Sequence, residues 1–158
     1  MTTPGPLETK QKVIRIWLLA LLWTGVVLWA GGGDLSANVT SRFIGPFLRW
    51  LLSDAPAATL DRIHFFLRKG AHVGEYAVLA LLTWRALLAS TRAAPLRPAL
   101  LTLAWVLSVA TVDEIRQASS PERTGSAWDV ALDLSGGILA LALAIAYTRV
   151  RRTALERR

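Results

Sequence analysis

The chain has no cysteine, and only 18% of its 158 residues are charged. The lack of cysteine excludes disulfides and thiolate chemistry, so redox usage does not indicate a compartment. Three common catalytic or nucleotide-binding motifs are also missing: the G-x-S-x-G elbow, the H-E-x-x-H helix and the P-loop. By contrast, 53% of the residues are hydrophobic. With long uncharged runs, this balance indicates a membrane protein rather than a soluble core.

Four apolar runs carry most of the hydrophobic residues, at about 13–30, 72–89, 96–113 and 130–148. A membrane-spanning helix needs about 20 residues, with a range of about 17–25. The third run reaches that range if it begins at Leu96 or continues through Asp113. We therefore predict an all-α membrane protein with four transmembrane helices in a single domain, residues 1–158.

The connection between the first two spans is long and contains an apolar segment, residues 42–52. Its eleven residues are too few to span, and Pro46 interrupts it. We predict an outer-leaflet interfacial or re-entrant helix there. A further helix is predicted to start at Thr59 and to run through Lys69 into the second span.

The net charge of +7 does not indicate nucleic-acid binding, because the basic residues cluster beside the apolar runs. With four spans, eleven basic residues lie on the side of the two termini and seven on the other side. This asymmetry predicts that both termini are cytoplasmic. The first run could instead be a signal peptide, but Leu28 stands at the −3 position of a cleavage after Ala30, where a small residue is required.

Acidic residues at the ends of the apolar runs are the strongest functional signal. Asp113 and Glu114 end the third run, and Asp133 lies inside the fourth. Ionisable residues are costly in hydrocarbon, so such positions indicate function by default. The alternative for Asp129 is local: it could be the third residue of a capping box that begins at Ser126.

Helical spacing places these and other polar residues on shared faces. Lys69, His72 and Tyr76 are spaced i, i+3 and i+7, and Glu75 flanks them. Two further pairs have i, i+4 spacing: Asp113 with Gln117, and Asp129 with Asp133. The alternative is an interfacial belt, in which Lys69 snorkels and Tyr76 anchors the helix.

We predict one polar cleft at the outer end of the second, third and fourth spans. A stripe of small residues on the last span turns its acids toward the other helices; the stripe comprises Gly136, Ala140 and Ala144. Arg123 is the predicted counter-ion of Asp113 or Asp129, because its planar fork can bridge two carboxylates. The predicted cleft comprises Lys69, His72, Glu75, Tyr76, Asp113, Glu114, Gln117, Arg123, Ser126 and Asp129, with Asp133 beneath them.

These residues carry a family resemblance over about residues 61–144. The pattern Lys69-x-x-His72-x-x-x-Tyr76, Asp113-Glu114-x-x-Gln117, Pro121-x-Arg123, Ser126-x-x-Asp129 and the Gly136 position resembles the VanZ-like family of small bacterial membrane proteins. The family usually has Asn at the position of Asp133. Its name-giving member is associated with reduced susceptibility to the glycopeptide antibiotic teicoplanin. The resemblance implies a multi-pass protein of the bacterial cytoplasmic membrane.

Three functional hypotheses remain open at this point. The first is an enzyme acting on an envelope lipid or a lipid-linked wall precursor. The candidate proton-transfer residues are His72, Glu75, Asp113, Glu114 and Asp129. The candidate substrate-binding residues are Lys69, Tyr76, Gln117, Arg123, Ser126 and Asp133.

The second hypothesis is a non-catalytic protein that binds a lipid headgroup or a glycopeptide. The third is a structural ion-pair network that fixes the helix register. A divalent cation held by the five candidate proton-transfer residues is a further alternative. No metal ligand is assigned, and the cofactor is left open.

The predicted topology can be tested by cysteine labelling, since the chain has no native cysteine. In intact cells, an impermeant maleimide should fail to label Thr3→Cys and Leu155→Cys. It should label Asp54→Cys, which lies in the predicted outer connection and serves as the positive control. External labelling of either terminal position would contradict the predicted orientation.

Overall fold

The computed structural model describes residues 6–31, 44–91, 94–119 and 126–156. Within these residues the regular structure is entirely helical, so the predicted all-α class is correct. Four of the helices are long and apolar enough to cross a membrane. The helices are α1 (Pro6–Ala30), α2 (44–51), α3 (Ala57–Ser90), α4 (Leu96–Ala118) and α5 (Ala127–Glu156).

The positions of proline explain where two of the long helices begin. Pro56 precedes α3, and Pro95 precedes α4. Pro98 is tolerated in the first turn of α4, because the first backbone N–H groups of a helix have no acceptor within it. The remainder of each long helix lacks proline, as an apolar medium requires of a continuous hydrogen-bonded helix.

Helix α3 is longer than the hydrocarbon layer is thick. Its 34 residues extend about 51 Å at 1.5 Å per residue, whereas the layer measures about 30 Å. The helix predicted to start near Thr59 and to continue into the second span is therefore confirmed. The N-terminal part of α3 carries Asp61, Arg62 and Arg68, and the predicted span 72–89 forms the remainder.

Side-chain hydrogen bonds fix the direction of α1 relative to α3. The indole N–H of Trp17 donates to the Ser90 hydroxyl at 2.7 Å, near the end of α3. The indole N–H of Trp23 donates to the Glu75 carbonyl at 3.0 Å, about four turns earlier on α3. The two helices are thus antiparallel.

Helices α3 and α5 run in the same direction. The Lys69 ammonium pairs with the Asp129 carboxylate, and further along Gly136 lies against the Val73 carbonyl. The end of α4 approaches the end of α1, where Arg116 donates to the carbonyl of Leu28. One end of the bundle therefore joins the C-terminal ends of α1 and α4, the start of α5 and residues 69–76 of α3. We call it the polar end.

The core lies between α3, α4 and α5, and α1 covers one side of it. Much of the surface of α1 is apolar and exposed, as a lipid-facing helix requires. The buried core comprises Val27, Tyr76, Leu79, Ala80, Trp84, Ala99, Val106, Val109, Ala110 and Leu141.

The small-residue stripe of α5 packs as predicted. A Cβ atom at Gly136 would collide with the backbone carbonyl of Val73, so the α3 and α5 backbones are almost in contact there. Ala140 is buried, and Ala144 packs against the core. Small residues therefore set the distance between these two helices.

The predicted short helix is present over residues 44–51; Arg42 lies outside the described residues. Eight residues cannot cross a bilayer. Leu48 is buried, whereas Phe47 and Trp50 are exposed and in contact with each other. Its location at the outer interface stays a prediction.

Replacement of Gly136 by alanine tests the close helix contact. Gly136→Ala should lower the thermal unfolding temperature in detergent, because its Cβ would push the α3 backbone away. Gly74→Ala is the matched control, since a Cβ at Gly74 meets nothing within 4 Å. The control should be neutral or stabilising by up to about 1 kcal/mol, from the higher helix propensity of alanine. Equal effects of the two changes would contradict the packing.

Candidate functional site

An ion pair joins α3 to α5 at the polar end. The Lys69 ammonium lies 2.5 Å from an Asp129 carboxylate oxygen, with side chains 21% and 34% exposed. The same ammonium lies 5.6 Å from the centre of the Phe65 ring, within cation–π range. Lys69 thus has a partner within the bundle, and the alternative in which it snorkels to the interface stays open.

Glu114 connects α4 to the start of α5. Its carboxylate accepts a hydrogen bond from the backbone N–H of Ser126. The Ser126 hydroxyl accepts from the N–H of Trp128 at 3.2 Å and so caps α5. The capping-box alternative for Asp129 is wrong, because Glu114 takes the Ser126 N–H and Asp129 pairs with Lys69.

Gln117 and Asp113 interact on α4 as their i, i+4 spacing predicted. The Gln117 amide donates to Asp113 Oδ2 at 3.0 Å. This hydrogen bond orients the carboxylate, whose residue is only 2% exposed. The amide of Gln117 also borders the cavity described next.

Side chains from three helices enclose one small polar cavity. Its volume is about 10 Å³, which is room for about one water molecule. The predicted convergence is therefore confirmed for six of the predicted residues, and Leu132 joins them although it was not predicted. The lining comprises Lys69, His72, Glu114, Gln117, Asp129, Leu132 and Asp133.

Tyr76, Asp113 and Asp133 are the most buried of the predicted residues. Their exposed fractions are 0%, 2% and 5%. Tyr76 is therefore not an interfacial anchor, and that alternative is wrong. Its hydroxyl lies within electrostatic reach of both carboxylates, and the described part of the chain offers it no hydrogen-bond partner. Two buried like charges repel strongly at low dielectric, so the burial of both carboxylates is costly unless polar partners offset it.

His72 and Glu75 lie beside this buried group. His72 Nδ1 is 3.9 Å from Glu75 Oε2, and the two side chains are 18% and 34% exposed. His72 also lines the cavity. A histidine between a carboxylate and a polar cavity can move a proton, although this separation is longer than a hydrogen bond.

Helix α1 contributes to the site, which sequence reasoning had placed on the other three spans. A Cβ atom at Gly31 would overlap the Asp113 carboxylate, so the end of α1 lies directly against that acid. Arg116, which lies between the site residues Glu114 and Gln117 of α4, donates a hydrogen bond to the Leu28 carbonyl. The glycine at position 31, which has no Cβ, is the sequence signal that could have indicated this close approach.

The described residues give no direct support for two predictions, the Arg123 counter-ion and the divalent-cation site. Arg123 lies outside the described residues, so its role as counter-ion stays a prediction. Within the described ranges, no group of three His, Asp or Glu side chains is arranged to hold a metal ion. The divalent-cation alternative therefore has no support from this arrangement.

Two matched Asp→Asn changes on α5 test how the charges of Asp129 and Asp133 affect stability. Asp129→Asn should lower the thermal unfolding temperature slightly, because a partly exposed ion pair contributes up to about 1 kcal/mol. Asp133→Asn should leave it unchanged or raise it, because an amide costs less to bury than a carboxylate and the change also removes repulsion with Asp113 and Asp129. Thermal unfolding in detergent measures both. Stronger destabilisation by Asp133→Asn would contradict the assigned repulsion.

Comparison with known proteins agrees with the resemblance described above. No curated protein and no solved structure matches the chain. The family model described as VanZ/LLP1 matches residues 16–148, which include every residue of the polar cavity. On this match, the chain belongs to the VanZ/LLP1 family.

Proposed function

We propose that the chain binds the phosphate-bearing head of an envelope lipid at its polar end. The observation that carries the proposal is the Lys69–Asp129 pair at the edge of a cavity lined by polar side chains of three helices. A lipid phosphate in the adjacent headgroup layer could replace Asp129 as the partner of Lys69. The basic asymmetry of the sequence supports the outer leaflet as the location.

Binding requires the site to open, because the cavity has room for only about one water molecule. Exchange of the ion-pair partner is inexpensive, since a partly exposed pair contributes only up to about 1 kcal/mol. A phosphate gives Lys69 an equivalent charge-assisted hydrogen bond. Asp129 is then free to accept from a hydroxyl or amine of the same headgroup.

The ligand class includes lipid-linked wall precursors. The association of the name-giving family member with teicoplanin supports testing that precursor class, and the glycopeptide itself, first. Catalysis by His72 and Glu75 would be a further activity of the same site. Mass spectrometry of lipid recovered after incubation distinguishes binding from catalysis, because an unchanged lipid supports binding alone.

A structural network is the second candidate function, and specific contacts favour it. Lys69 with Asp129 links α3 to α5, Glu114 with Ser126 links α4 to α5, and Arg116 with Leu28 links α4 to α1. If the network is only structural, variants of the pair should lower the folded yield, and the folded protein should bind no lipid.

The proposal can be tested by calorimetric titration of the detergent-purified protein with short-chain phosphatidylglycerol. Lys69→Met should weaken binding about tenfold or more, because a hydrogen bond to a charged group contributes about 1.5–3 kcal/mol. Lys69→Arg should retain most of the affinity. Arg68→Met, which removes the neighbouring positive charge away from the cavity lining, is the matched control.

Equal losses in Lys69→Met and Arg68→Met would indicate non-specific attraction and contradict the proposed site. A folded wild-type protein with no saturable binding of phosphatidylglycerol or a lipid-linked precursor would rule out the function itself. Circular dichroism of each variant confirms that it is folded.

A further inference from the structure

A second, almost entirely apolar depression lies on the outside of the bundle between α3 and α5. Its volume is about 470 Å³. Half of its lining residues are glycine or alanine, which leave the space that larger side chains would fill. They are Gly74 and Ala77 on α3, and Gly136, Ala140 and Ala144 on α5. We call it the α3–α5 groove.

The groove begins close to the polar cavity. Val73 and Gly74, which line it, directly follow His72, which lines the cavity. On α5 the groove extends from Gly136 to Tyr147, about 17 Å at 1.5 Å per residue. This length is more than half the thickness of the hydrocarbon layer, which is about 30 Å.

The dimensions of the groove decide between the possible occupants. A volume of about 470 Å³ spread over this length is room for a slender chain. A helix with its side chains is about 10–12 Å in diameter, so a helix of a second copy would lie across the mouth of the groove and not fill it. Carbon atoms of packed hydrocarbon approach to about 4 Å, so a single extended chain fits.

We propose that the α3–α5 groove holds one hydrocarbon chain of the lipid whose phosphate head binds at Lys69. This inference rests on the proposed function and narrows its ligand to an amphiphile with at least one long, unbranched or slender chain. Within a bilayer the chain gains nothing from leaving water. Its retention comes from van der Waals contact along the groove and from the bound head, so chain and head binding are coupled.

Gly74 offers a direct way to fill the groove. A Cβ there meets nothing within 4 Å, and Gly74 lines the groove, so Gly74→Leu places a side chain in its open space. Gly70→Leu is the matched control. It lies one turn earlier on α3, is equally unobstructed and lies outside the groove. Both changes replace glycine with a better helix former.

The probe is phosphatidylglycerol with a photoreactive diazirine on one acyl chain, as a minor component of phosphatidylcholine nanodiscs. After irradiation, labelled peptides are quantified by mass spectrometry. In the wild type, labelling at Leu139 and Leu143, which line the groove, should exceed labelling at Leu18 and Leu22 of α1, which are similarly exposed. Gly74→Leu should reduce groove labelling several-fold, and Gly70→Leu should leave it unchanged.

Equal labelling of groove and α1 residues would show only the surrounding bilayer lipid and would overturn the proposal. A groove that escapes labelling while the protein crosslinks as a dimer would also overturn it, in favour of a second copy. A third outcome separates the two proposals. If Lys69→Met abolishes headgroup binding and Gly74→Leu does not affect it, the groove proposal fails and the headgroup site stands. Groove labelling that is insensitive to Lys69→Met would instead refute the proposed headgroup site.

Discussion

The cost of a carboxylate in hydrocarbon is the constraint on which the arrangement of this bundle depends. Asp113 and Asp133 lie within helices that are long and apolar enough to cross a membrane, and both are almost fully buried. An ionisable group exposed to lipid at such a position costs several kcal/mol. The faces of α4 and α5 that carry these acids must therefore turn inward. Their inward orientation fixes the rotation of both helices.

Helix α3 provides the side chains that face these carboxylates inside the bundle. Tyr76 occupies the centre of the polar end, and Lys69 closes that end through Asp129. Further along α5 the helix contacts are apolar. Gly136 brings α5 into backbone contact with α3, and small residues leave a slender groove on the outside of the bundle. A charged edge and an apolar channel thus lie next to each other between the same two helices. That combination matches the two halves of an amphiphilic lipid.

Sequence patterns were sufficient for the fold and for much of the site. The apolar runs predicted four spanning helices, and helical spacing correctly paired Asp113 with Gln117. The i, i+3 and i+7 spacing placed Lys69 and His72 on one cavity, because a regular helix preserves the direction of each side chain. Patterns within one helix predict such relations well.

Relations between helices were less predictable. The contact of Gly31 with the Asp113 carboxylate depends on how α1 crosses α4, and no local spacing encodes it. Ser126 and Asp129 matched a local capping box, but partners on other helices, Glu114 and Lys69, took their hydrogen-bonding groups instead. Contacts between helices therefore replaced the local hydrogen bonds that the pattern predicted. The extension of α5 to Glu156, beyond the apolar run, likewise reflects helix continuity that hydropathy does not report.

The central claim is that the polar end and the α3–α5 groove form one lipid site. An experimental structure of the protein in lipid nanodiscs containing an anionic phospholipid tests it most directly. The account predicts headgroup density within hydrogen-bonding distance of Lys69, with continuous density for one chain running past Gly74 toward Tyr147. A closed Lys69–Asp129 pair and a groove that contains no more ordered lipid than the surface of α1 would contradict it.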